Sequence, residues 1–172
     1  MEKIPLVLAL FEKRKMKFKL GYFYQVRFFQ PNMIPLSTAH SDPKWYHANH
    51  SAQFTYFDKN NVINGLRCDE LAPGSVCAGL CNGSREKGCN PTNCEFLRAY
   101  RLQLETTFDI PAFLKRCEVV AQKTQEMNSY TDEPVIVLMV HEAPDNPCSE
   151  RKTLINFFNA HGIDIEELRF PL

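Results

Sequence analysis

The sequence predicts a small three-layer α/β domain with a mainly parallel sheet and an inserted cysteine-rich metal knuckle. Three observations carry this. Pro134 to Val140 is a continuous apolar run, the mark of a strand buried on both faces, and a helical pattern and a closing strand follow at βαβ crossover spacing. Between residues 97 and 124, apolar positions recur every three or four residues, as on helices packed along one face. Five of the seven cysteines fall between residues 68 and 94, in a stretch otherwise made of turn formers.

The elements follow in chain order. Phe18, Leu20, Tyr22 and Tyr24 alternate as a strand with one buried face requires, and Met33-Ile34-Pro35-Leu36 is a second short extended piece. Residues 37–46, STAHSDPKWY, are dense in turn formers. Phe54-Thr55-Tyr56-Phe57 and Val62-Ile63 flank Asp58-Lys59-Asn60-Asn61 as in a hairpin, and Asn64-Gly65 marks another turn. Leu97, Tyr100, Leu104 and Phe108 give an apolar helical face beginning at or just after Cys94. A second helix begins near Asp109 with Pro111 in its first turn. Phe113, Cys117, Val120, Ala121 and Thr124 line one side of it, which makes Cys117 a core residue. The turn Ala143-Pro144-Asp145-Asn146-Pro147 then leads to a helix whose Leu154, Phe157, Phe158 and His161 face one way before Gly162 ends it. Ile163 and Ile165, with Leu168, make the closing strand.

A chain of 172 residues suits one domain with a single core. Residues 16–172 are assigned to it, with the insertion at 68–94 and an N-terminal extension at 1–15; Met16 is an alternative start. Twenty basic and twenty acidic residues cancel, so no global field draws nucleic acid or an anionic membrane, and any such binding must be local. The basic run Lys13-Arg14-Lys15-Met16-Lys17, with Lys19, reads as a solvated lead-in to the first strand. Ile4 to Phe11 is too short an apolar run to span a bilayer and lacks a small-residue cleavage site, so a cytoplasmic protein without a membrane partner is expected. Reducing conditions there favour metal-binding or catalytic cysteines over disulfides.

Cys77, Cys81, Cys89 and Cys94 read C-x3-C-x7-C-x4-C. Two close pairs joined by a Gly-containing loop would let four thiolates converge on one tetrahedral ion, zinc before an iron–sulfur cluster. Cys68 is a candidate replacement for one of the four; buried thiols are the plainer alternative.

A second constellation sits at the end of the most buried strand. In open parallel sheets ligands bind beyond the carboxyl ends of the strands. Glu142 stands there, and Cys148, Ser149 and Arg151 follow near a helix start whose free amides favour an anion and depress a thiol pKa. The catalytic candidates are Glu142, Cys148 and His40; the ligand-binding candidates are Arg151, Ser149, Trp45 and His141. Arg151 and the helix start would hold phosphate, Glu142 or His40 would handle protons, Trp45 would stack on a base, and His141 is the base nearest Cys148 in sequence. A Glu142–Arg151 pair that merely holds the turn is the simpler alternative. His40, His47 and His50 surround Trp45 and Tyr46 as a second metal site, a stacking platform or solvated loop residues. Gly-rich phosphate loops, H-E-x-x-H pairs and G-x-S-x-G elbows do not occur.

Three segments resemble the uncharacterised domain of unknown function 488 family of bacterial and phage proteins, in a cysteine-containing branch. VIVLMVHEAPDNPCSERKTLINFFNAHGIDIEEL is similar to its terminal signature, an apolar strand ending in E-x-P, then Cys, then Arg on a helix. GYFYQVRFFQPNMIPLSTAHSDPKWYH resembles its opening, and LAPGSVCAGLCNGSREKGCNPTNCEFLRAYRLQL its central LAP element. The resemblance implies a small α/β fold with a metal knuckle and singles out Glu142, Pro144, Cys148, Arg151 and Trp45, without implying an activity. Many relatives read C-H-R where this chain has Ser149-Glu150, so a His general base at that place has no counterpart here.

The function expected is that of an intracellular, metal-ordered protein that binds, and acts on, an anionic ligand such as a nucleotide or nucleic-acid end. The alternatives are a non-catalytic zinc-knuckle interaction module for protein or nucleic acid, and an iron–sulfur redox protein.

Overall fold

The computed structural model describes residues 16–58, 61–81 and 90–171. The N-terminal extension, Lys13 to Lys15 of the basic run, and Cys89 lie outside these residues. Five strands, Lys17–Tyr22 (β1), Met33–Ser37 (β2), Leu66–Arg67 (β5), Val135–Val140 (β6) and Ile165–Glu167 (β7), form one sheet in the order β5-β2-β6-β1-β7. Every neighbouring pair in it is parallel. Tyr56–Asp58 (β3) and Asn61–Ile63 (β4) make a separate antiparallel hairpin. The helices are Ser75–Gly79 (α1), Glu95–Thr107 (α2), Ile110–Asn128 (α3) and Arg151–Ala160 (α4).

The apolar run predicted as a doubly buried strand is β6, at the centre of the sheet. Its alternate residues enter two different cores. Ile136, Leu138 and Val140 join Phe18, Leu20, Ile34 and Leu36 against Tyr100, Leu104, Phe113, Cys117, Leu154 and Phe158 of the long helices. Val135, Val137 and Met139 face the other way, toward Phe23, Val26, Tyr46, Val62 and Leu168. The sheet is therefore the middle of three layers, with α-helices on one side and a 3-10 turn, the hairpin and loops on the other. Burying a Leu or Phe side chain stabilises by about 1.5–3 kcal/mol, so both faces contribute even though only one carries α-helices.

Local sequence explains the boundaries. α2 has Cys94 as its N-cap, where the helical periodicity begins. Asp109 caps α3, its carboxylate accepting the Ala112 N–H at 3.0 Å, with Pro111 in the first turn. Pro35 lacks an N–H yet lies inside β2. It is tolerated because β5 pairs only with Leu36 and Ser37, and the Pro35 carbonyl instead accepts the Tyr46 hydroxyl at 3.1 Å.

Two expectations change. Tyr24 does not extend the first strand: β1 ends at Tyr22 and residues Phe23–Phe28 wind into a 3-10 helix. Gln25 causes the departure, accepting the Tyr22 N–H at 3.1 Å and donating to the Leu168 carbonyl at 3.0 Å. Gly21 permits it, since a Cβ there would lie 2.8 Å from Gln25 Oε1 and 2.9 Å from Val137 Cγ1. Ile163 is buried but precedes the closing strand, which runs Ile165–Glu167 along Phe18–Leu20. Lys17 pairs with Glu133 at 3.3 Å and Lys19 with Glu166, so the described part of the basic run is solvated and ion-paired.

Candidate functional site

Because the sheet is wholly parallel, the carboxyl ends of its strands, Tyr22, Ser37, Arg67, Val140 and Glu167, share one rim. His141 and Glu142 leave β6 there, and the turn that follows returns the chain to α4 through Ser149 and Glu150. The Ser149 hydroxyl donates to Glu142 Oε2 at 3.4 Å and accepts the Arg151 N–H at 3.3 Å, joining strand end to helix start.

Arg151 is 4% exposed. Its Nε and Nη2 meet the two oxygens of Glu167 at 2.6 and 2.9 Å, and Nη1 donates to the Glu142 carbonyl. The fork that would have held phosphate is thus spent bracing the β6–α4 turn against β7. This is the turn-holding alternative with a different partner: the carboxylate comes from Glu167, and Glu142 supplies its backbone oxygen. The side chain of Glu142 is left half-buried at the mouth.

Glu150 is the residue the sequence did not mark. Only 6% exposed, it carries a carboxyl pushed up to about 7 by burial and then by the neighbouring Glu142 charge; its own N–H and Arg151 oppose the shift. The Glu142 charge at the rim thus acts on a buried carboxyl that can hold a proton near neutral pH. Tyr100 stands close enough for its hydroxyl pKa to rise further because of Glu150, and this hydroxyl donates to the Leu71 carbonyl at 2.5 Å.

A second unmarked residue organises the opposite wall. Arg67, at the end of β5, binds Asp42 at 2.6 Å and Asp69 at 3.1 Å and donates to the Ala39 carbonyl at 3.0 Å. Ser37 also donates to Asp42. These bonds pin the loop carrying Thr38 and His40. A carbonyl can only accept, so His40 donates through Nδ1 to Pro73 O at 2.9 Å and His141 through Nε2 to Ser41 O. His141 thus braces the loop, and its ring lies 5.1 Å from that of Phe23. Trp45, 36% exposed, meets the same Phe23 edge-on at 6.2 Å. Cys148 is half-buried, with its N–H on Asn146 Oδ1 at 3.0 Å. His50 pairs with Asp69 at 2.6 Å. His40 and His50 therefore go to separate partners, and among the described residues no group of three or more ligating side chains supports the metal-site alternative for this loop.

Of the knuckle cysteines, Cys77 and Cys94 are buried together in a small cluster with Phe96, and the Cys77 thiol donates to Gln103 Oε1 at 3.5 Å. Cys81 is exposed. Among the described residues no group of three or more His, Cys, Asp or Glu side chains is placed to hold a metal ion. Cys68 packs in the main core, its thiol donating to Glu70 at 3.4 Å and pushed up to about 12 by burial and by that carboxylate. This removes it from the Cys77–Cys94 cluster.

Beside the mouth, α2 and α4 pack against each other and leave a groove of about 620 Å³ that Ser149 also lines. Arg98, Arg101 and Lys152 stand along it. Among the described residues no helix is long and apolar enough to cross a membrane. Comparisons of the chain with protein-family models, with curated proteins and with solved structures found no match.

Proposed function

We propose that this chain binds an anionic ligand at the carboxyl-terminal rim of its sheet and acts on it by proton transfer, with Glu150 and Glu142 as the acid–base pair. The observation that carries the reading is a buried carboxyl, Glu150, raised by the charge of the half-buried Glu142, which Ser149 joins to a cationic groove through its hydrogen bond. In a hydrolysis, protonated Glu150 would give its proton to the departing oxygen or nitrogen while Glu142 takes one from the attacking water, so that water is divided between the two products. His40, exposed and held through Nδ1 on the Pro73 carbonyl, stands in reserve on the opposite wall, and Trp45 offers an exposed ring for stacking. A cytoplasmic location belongs to the same proposal, as does kinship with the domain of unknown function 488, which adds no reaction.

The test uses nucleoside mono-, di- and triphosphates, with chromatography that registers released base as well as released phosphate. Wild type should turn over at least one of them, with a limb of the pH–rate profile near 7 that disappears in Glu150→Gln. Absence of turnover across the panel would defeat the catalytic part, and an unchanged profile in the variant would remove Glu150 from it.

The metal is proposed on Cys77, Cys81, Cys89 and Cys94. The burial of Cys77 beside Cys94 supports it, since this brings the outer two cysteines of the motif together. Zinc there would order the segment between them. Metal analysis of protein purified without oxygen decides: one zinc per chain, lost in a Cys77→Ser, Cys94→Ser variant, is expected, whereas iron with visible absorption would establish the redox alternative. The exposed apolar side chains of Val76, Leu80 and Leu102, at 82, 40 and 60%, favour a second reading, a non-catalytic contact surface next to the knuckle. A partner retained by Glu142→Gln and lost on Val76→Ser with Leu102→Ser would select it.

A further inference from the structure

We propose that the groove between α2 and α4 holds the end of an oligonucleotide, with phosphates along Arg98, Arg101 and Lys152 and a base against the apolar floor. The inference rests on the reading above and names its substrate class. Its starting point is a reversal: Arg151, the cation best placed by sequence to hold phosphate, is committed to Glu167, so the anion's charge must be met elsewhere. The groove meets it. Arg98 and Arg101 come from α2 and Lys152 from α4, and the one carboxylate among the lining residues, Glu105, pairs with Arg101 at 3.0 Å. Arg98 and Lys152 are exposed and have no ion-pair partner among the described residues. In a chain of zero net charge, this is a local concentration of positive charge with a defined shape.

The spacing selects the ligand. Lys152 lies in the first turn of α4 and His161 follows its last residue, so this side of the groove runs about 13.5 Å along the helix at ~1.5 Å per residue. A single phosphate cannot fill such a length, whereas successive nucleotides of a strand can. Leu97, Phe157 and Ala160 line the same groove, with the His161 ring 4.5 Å from that of Phe157. Flat bases complement such a floor, and an inorganic polyphosphate has nothing to place there. Ser149 belongs both to this groove and to the Glu142 hydrogen bond, so a strand lying in the groove leads its end to the carboxylate pair.

The experiment is fluorescence anisotropy of a labelled single-stranded DNA of about ten nucleotides, within the site sizes of single-strand binders. The full-length chain is used as wild type, as Arg98→Glu with Lys152→Glu, and as Glu150→Gln, each over a range of salt. Wild type should bind, with log K falling linearly against log salt. The charge reversal should weaken binding by at least about tenfold and reduce the slope by roughly 0.7 for each phosphate contact removed. Both reversed side chains are exposed, and an unchanged melting temperature verifies the fold. The proposal is overturned if wild type does not bind at low salt, if the reversal leaves binding unchanged, or if an acidic peptide of equal charge binds as well. Turnover separates this inference from the reading beneath it. DNA binding through the groove without Glu150-dependent turnover of nucleotides would leave the groove assigned and the acid–base pair refuted. Glu150-dependent turnover without DNA binding would do the reverse.

Discussion

Replacing Glu150 by Gln should stabilise the protein at neutral and alkaline pH and do much less at acid pH. The carboxyl is raised from an ordinary 4.5 to about 7 in the folded state. A raised acid binds its proton more tightly when folded, so folding is favoured below 4.5 and loses stability as pH rises through the folded value near 7. The shift of about 2.5 units at 1.36 kcal/mol each amounts to roughly 3 kcal/mol. Most of that loss, about 2.5 kcal/mol, falls between pH 5 and pH 8. Gln keeps the shape without the charge, so the variant escapes this loss while wild type does not. Urea denaturation of both proteins at pH 5 and pH 8 measures the difference. Equal changes in the two proteins would refute the argument, as would a Glu150 carboxyl titrating near its ordinary value by carbon NMR. The prediction is independent of any ligand, so it tests the physical basis of the proposed acid before a substrate is known.

Arg151→Met should destabilise by about 3–5 kcal/mol by leaving the Glu167 carboxylate and the Glu142 carbonyl without their donor; a double variant with Glu167→Met should recover much of the loss in urea midpoints. Thr124 is fully buried and its hydroxyl has no hydrogen-bond partner among the described atoms, so Thr124→Val should raise stability by about 1 kcal/mol. Asp109→Ala should cost about 1 kcal/mol through loss of the α3 cap, and a melting temperature unchanged from wild type would contradict it.

What was legible in the sequence depended on range. β6 announced itself because a strand buried on both faces needs no polar alternation, and α2, α3 and α4 because an amphipathic helix repeats within its own length. The rim was legible too, since Glu142, Ser149 and Arg151 flank one turn. The turn-holding role of Arg151 was among the sequence's readings, but its partner was not. Its partner, Glu167, lies sixteen residues on in the edge strand β7, and only the parallel pairing of β7 with β1 brings it there. Arg67 is a stronger case, because Asp42 and Ala39 precede it by a whole loop and hairpin. Glu150 is marked by burial alone, and nothing in the local pattern Ser-Glu-Arg distinguishes a solvated glutamate from a buried one within reach of another carboxylate's charge.

The two buried arginines explain why the acid remains available. An arginine beside a carboxylate normally holds it ionised. At this rim the guanidinium of Arg67 is taken up by Asp42 and Asp69, and that of Arg151 by Glu167. Glu150 sits next in sequence to Arg151, yet the fork points away to β7, and burial together with Glu142 outweighs its pull. If Glu167 were removed, the guanidinium would be released toward the mouth and the Glu150 carboxyl should fall toward its ordinary value. Glu167→Gln should therefore move the acid limb of any Glu150-dependent pH–rate profile downward, a displacement that a purely structural role for the Arg151–Glu167 pair would not produce.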